Sequence, residues 1–166
     1  MLGLSRLLTR RRRIAGQALV EFAIILPVLL TLFGAAVDMA RLYGGWVTLQ
    51  GATRDAAEQV ASDTTVTTLA QAQTRAQQIV CTETSGMAGF AAPVGNPSAC
   101  TSPTVVVASW SSSPTAPGGT TRNPIVTTSV TVTFPFRTLF AYPLLTHSGA
   151  WTLSSNQSYA ISQGRP

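Results

Sequence analysis

Residues 16–57 read GQALVEFAIILPVLLTLFGAAVDMARLYGGWVTLQGATRDAA, and the fold turns on this stretch. From Ala18 to Val37 the one charge is Glu21. A run of about twenty apolar residues is the length at which a helix crosses a bilayer. Pro27 is tolerated in such a helix, where it predicts a kink. The helical pattern continues past Val37: Leu42, Trp46, Leu49, Ala52 or Thr53, Ala56 and Val60 recur every three or four residues as one apolar stripe. Arg54 and Glu58, one turn apart on the opposite side, are spaced to pair weakly. A helix from Ala18 to Ser62 would be about 65 Å long, too long to serve as an anchor alone. Its outer half must cover something, and Gly44-Gly45 predicts a bend between the halves.

The charge lies to the N-terminal side of this helix. The 166 residues hold 11 basic residues, all Arg, and 6 acids, for a net charge of +5. Five of the arginines are Arg6, Arg10, Arg11, Arg12 and Arg13, so the rest of the chain has 6 Arg against 6 acids. A basic arm on a neutral body argues against a nucleic-acid partner, which needs positive charge spread over a folded face. Beside an apolar helix, the same arm orients insertion with the N-terminus in the cytoplasm and the C-terminal bulk outside.

The segment around Glu21 carries a resemblance. Gly16 to Phe22 reads G-x-x-x-x-E-F after a basic leader and before a hydrophobic helix, and resembles the cleavage and assembly motif of type IV pilins, the Flp/Tad branch in particular. The longer stretch Gly16 to Ala57, with its D-x-x-R pair Asp38 and Arg41 and its Ala-rich amphipathic continuation, is similar to the N-terminal region of TadE-like pseudopilins. The resemblance covers about a quarter of the chain. It implies cleavage after Gly16 by a prepilin peptidase, leaving Gln17 first in the mature chain and Glu21 fifth. Glu21 would then pair with the N-terminal amine of a neighbouring subunit, since two lone charges in an apolar core are each costly and joined they neutralise one another. Two positions depart from the common pattern: Gln17 where many pilins have Phe, and Phe22 where Flp pilins favour Tyr. The implied partners are the peptidase, other Tad pilins and pseudopilins, the inner-membrane assembly platform and membrane lipid.

Alternatives stand beside this reading. The chain could be an uncleaved single-pass protein with an envelope-facing binding domain, or a domain released by signal peptidase after about Ala36. Glu21 opposes the last, because an acid within a span marks a function. Asp38 and Arg41 are equally an inter-subunit contact, a local pair or a headgroup contact. Ala36 and Ala40, one turn apart, would permit close helix approach.

Beyond Ser62 the chain reads as an extracytoplasmic domain. Thr68 and Gln71 have capping-box form, predicting a second helix over about 66–81 with Leu69, Ala72, Ala76, Ile79 and Val80 on one face. The two cysteines, Cys81 and Cys100, are expected to form a disulfide outside the cytoplasm, closing a loop of about twenty residues. Strands are predicted over 104–110, 125–134 and 151–161. In the second, Val126, Thr128, Val130, Val132 and Phe134 share a face and Pro135 ends the strand; in the third, Trp151, Leu153, Tyr159 and Ile161 share one. Residues 111–123 read as a turn-rich loop, and 137–145 as an apolar connection folded onto the core or directed to a partner or the membrane surface.

The expected class is therefore α+β and pilin-like: a leader over 1–16, a membrane helix over 17–40, its amphipathic continuation over 41–62 and an outer domain over 63–166. No Walker loop, dinucleotide fingerprint or G-x-S-x-G elbow occurs, and no acid follows Glu83 in sequence to orient the sole histidine, His147. Two cysteines and one distant His do not make a zinc site. The expectation is a non-enzyme with no metal, cofactor, nucleic acid or small-molecule substrate, held in the bacterial cytoplasmic membrane with its C-terminal domain outside, and taking part in assembly of a Tad pilus, whether it enters the filament or only primes it.

Overall fold

The computed structural model describes residues 3–87, 89–93, 95–113, 124–139 and 150–162, with the backbone alone for 3–16, 97 and 150. The chain is α+β: α1 Gly3–Ser62, α2 Leu69–Glu83, a single 3₁₀ turn Pro97–Ala99, then β1 Thr104–Ser113, β2 Ile125–Arg137 and β3 Ala150–Ser162. The strands form one antiparallel sheet of order β1-β2-β3.

α1 is a single helix that also takes in residues 3–16, and the helix continues past Pro27 and Gly44-Gly45. The glycine pair expected as a bend has another use at Gly45. A Cβ there would lie 3.3 Å from Met87 Cε and in ordinary contact, at 3.9 Å, with Leu153 Cδ1, so the missing side chain leaves room for the Met87 tip against the helix. The two halves of α1 differ in surroundings. Leu19 to Phe33 is exposed, whereas Leu49, Ala52, Thr53, Ala56, Ala57, Val60 and Ala61 are buried. The stripe is therefore real but begins later than its first members: Leu42 is half-buried and Trp46 is exposed. Small alanines fill most of the contact, which lets backbones approach closely. The buried Thr53 keeps its hydroxyl satisfied by donating to Leu49 O at 2.6 Å.

α2 begins three residues later than expected and runs two further. Thr68 caps it by accepting from Gln71 N at 3.3 Å, but the Gln71 side chain reaches past the cap, accepting from Thr67 N at 2.8 Å. Its buried face is Ala72, Ala76, Ile79, Val80 and Cys81. Cys81 and Cys100 are disulfide-bonded with Cα atoms 5.5 Å apart, tying the end of α2 to the 3₁₀ turn.

The sheet follows its alternation. Val126, Thr128, Val130, Val132 and Phe134 are all buried on one face of β2. Pro135, expected to end the strand, instead lies inside it, because β1 starts at Thr104 opposite Thr133 and no strand lies beside β2 at Pro135 on that side. A residue without an N–H costs no ladder bond there. Likewise β1 extends to Ser113, since Ser111, Ser112 and Ser113 pair with Thr127, Val126 and Ile125 despite their loop-like composition. In β3 Leu153 and Ser155 are buried and Tyr159 and Ile161 half-buried, but Trp151 is exposed at the end of the sheet opposite Phe136. α1 packs across β2 and β3, and α2 across β1. One core joins Leu49 to Val60 of α1 with Ile79, Val80, Val130, Val132 and Phe134, so the outer half of the long helix belongs to the folded domain.

Candidate assembly site along the long helix

Glu21 and Phe22 lie on the exposed part of α1, with Phe22 57% accessible. Gln17 Nε2 donates to Glu21 Oε1 at 3.3 Å, one turn along the same face. Gly16 precedes them within the helix. The side chains of Arg6, Arg10, Arg11, Arg12 and Arg13 lie outside the described residues, as do His147, Arg122, Arg165 and most of the 137–145 connection. Ala36 and Ala40 are both exposed.

Asp38 and Arg41 do form a pair: Arg41 Nη1 lies 3.2 Å from Asp38 Oδ1. The pair reaches further than one turn of helix. Asp38 is buried, and its Oδ1 also accepts the backbone N–H of Leu139 at 3.0 Å. The Arg41 guanidinium lies 5.5 Å from the centre of the Phe136 ring. Within one chain, then, the D-x-x-R pair clamps the end of β2 to the helix where the apolar run ends. A buried carboxylate is stable here because a cation and an amide donor both meet it.

The outer residues around this clamp include Tyr43 and Trp46, whose ring centres are 6.5 Å apart, and Trp151, all exposed. The Arg54–Glu58 pair expected from spacing is not formed; among the described residues the ion pairs are Asp38–Arg41 and Asp63–Arg75. Asp63 accepts from Thr65 Oγ1 at 2.6 Å and Thr65 N at 2.9 Å. Those bonds, the hydroxyl foremost, with nearby Arg75, hold its pKa below the ordinary value. Burial, with Asp55 adding like charge, pushes Glu83 upward. Among the described residues no three His, Cys, Asp or Glu gather in a way that could hold a metal.

Three residues of this architecture are not flagged by spacing. Gln73 and Gln77 of α2 bond the backbone of Val105, Val107 and Cys100, and Leu139 supplies the amide for Asp38. Glutamines four apart on an otherwise alanine-rich helix are the available hint for the first two. For a backbone amide there is none.

The family model described as TadE-like protein matches residues 16–58. Over that segment the chain is similar to TadE-like proteins. No curated protein and no solved structure matches the chain. The TadE-like segment takes in Gly16, Gln17, Glu21, Phe22, Asp38 and Arg41, and ends within the part of α1 that is buried against the sheet. It contains a helix long and apolar enough to cross a membrane by length and composition.

Proposed function

We propose that the chain is a minor pilin or pseudopilin of a Tad (Flp) type pilus, a structural subunit and not a catalyst. One observation carries the reading: a TadE-like helix that leaves Leu19 to Phe33 exposed and buries Leu49 to Ala61 against its own domain. An apolar half with no cover among the described residues suits lipid before assembly and neighbouring helices after it. The arginines of the leader orient it, and a prepilin peptidase removes them by cutting after Gly16. The exposed Tyr43 and Trp46, just beyond the span, suit the membrane–water boundary.

In assembly Glu21 pairs with the amine of Gln17 on an adjacent subunit, exchanging its contact with the Gln17 side-chain amide for an opposite charge, which sets register more than stability. Ala36 and Ala40 let helices approach. Asp38 and Arg41 serve the chain's own domain, adding a contact between it and the helix. Cleavage near Ala36 would divide one continuous helix, which disfavours release as a secreted domain.

The N-terminal residue of the mature protein tests this. Gln17 is the expected result; Met1 supports an uncut membrane protein, and a start near Val37 a secreted one. Glu21→Ala is expected to be cut normally and to fail in assembly, read by recovery of the chain in sheared filaments. Normal incorporation overturns the register role.

A further inference from the structure

The sheet has two edges, and they are treated differently. Along β1, Gln73 Nε2 donates to Val105 O at 2.7 Å and Gln73 Oε1 accepts from Val107 N at 2.7 Å, doing with one side chain what a neighbouring strand would do. These bonds also reveal the polarity of the ladder. Val105 and Val107 turn their backbone groups outward, so their partners Val132 and Val130 turn theirs toward Ser155 and Gln157 of β3. The register between β2 and β3 has no shift from end to end. Hence Thr152, Ser154, Asn156, Ser158 and Ala160 direct N–H and C=O away from the sheet.

Nothing among the described residues pairs with that edge. β3 holds no Lys, Asp, Glu or Pro and no bulge, the devices by which edge strands resist addition. Beside it runs a groove between residues 157–159 and Val47, Gly51 and Arg54 of α1. A Cβ on Gly51 would meet nothing within 4 Å, and Arg54 has no acid in ion-pair range among the described residues.

The geometry points to the open edge of β3 as a docking site for a strand donated by a different protein chain. The added segment is extended, with small apolar side chains over Val47 and Gly51 and a carboxylate at Arg54. A second copy does not fit. Gln73 occupies Val105 O and Val107 N, so its β1 offers only a short stretch of free edge past the bulge, and antiparallel β3–β3 pairing needs a two-fold axis perpendicular to the sheet. That axis reverses α1, which lies along the sheet, so the two membrane spans would point in opposite directions. This exclusion rests on the membrane reading above.

The test uses the full chain in detergent micelles, with peptides of about nine residues as probes. One alternates Thr and Val with a single inward Asp, a second carries Lys for Asp, and a third is N-methylated at alternate amides. Hydrogen exchange read residue by residue is expected to slow by about tenfold at Thr152, Ser154, Asn156, Ser158 and Ala160 with the first peptide. The Asp peptide binds about fivefold tighter than the Lys one, a preference lost in Arg54→Ala. Ser158→Pro, which deletes an outward N–H and leaves the bonds to β2, abolishes binding while the melting temperature is retained. Absence of protection at those amides, or equal binding of the N-methylated peptide, overturns the proposal. Protection that appears without peptide and grows with protein concentration identifies a second copy and also overturns it. The identity of residue one, read on the same sample by mass spectrometry, reports on the pilin reading independently.

Discussion

Gly89 has a φ of +102°, and a Cβ there would lie 3.2 Å from Phe134 Cζ. Both facts call for glycine: the left-handed backbone, and the close approach to the largest fully buried side chain of the core. Gly89→Ala is expected to destabilise the fold by about 1–3 kcal/mol, read by denaturant unfolding. In sequence this glycine is one of several in a Gly/Pro loop, and nothing local distinguishes it from Gly95 or Gly86. Asp63 is the contrasting case, since the Thr/Asp cluster after Ser62 announces a turn by composition. Its folded pKa is lowered by Thr65 and Arg75, so its contribution is complete above the ordinary Asp value and is lost as pH falls through the lower folded value. Asp63→Ala is expected to cost about 1 kcal/mol at neutral pH and less in acid, measured by thermal melts across pH.

Elements were legible where a local period or cap announces them. The apolar run of α1, the Thr68 cap of α2 and the alternation of β2 all follow from spacing. Their ends were less so. Pro135 reads as a terminator because a central strand excludes proline, and only the stagger of β1 against β2 makes its position an uncovered one. The serines of β1 read as loop until β2 is found beside them. Gln73 belongs to the same class, a surface-type residue whose task is set by a strand more than thirty positions away. Gln73→Ala is expected to destabilise by about 1–3 kcal/mol, because it removes both partners of two edge groups, and to raise concentration-dependent association through β1. Calorimetry and light scattering check the two effects; an unchanged melt with unchanged scattering contradicts the capping role.

At the scale of the molecule, one helix serves two environments, and the domain is assembled around its outer half. The Cys81–Cys100 bond ties α2 to the turn before β1, bracketing that domain. Replacing both cysteines by Ser is expected to cost about 3 kcal/mol from loop-closure entropy, read as a lowered unfolding midpoint of the outer domain. The apolar span keeps its helicity in detergent, so far-UV dichroism retains a helical signal after the sheet has melted. Asp38 adds a contact between the helix and Leu139, just past the end of β2, to the packing of the core. Asp38→Asn keeps the acceptor for Leu139 but removes the charge facing Arg41, whereas Asp38→Ala removes both.

What the sequence determined by itself is everything with a short period or a local signal: the long apolar helix, the TadE-like opening, the second helix and the β faces. These depend on residues one to four positions apart, where chain geometry alone brings side chains together. The tertiary structure alone decided which groups meet across long separations. Asp38 and Leu139, Gln73 and β1, Gly45 and Leu153, and the open edge of β3 all depend on strand register and helix placement. Register is the outcome of the whole core closing at once, since every contact in it must bury its face together, and no local window of sequence contains that constraint.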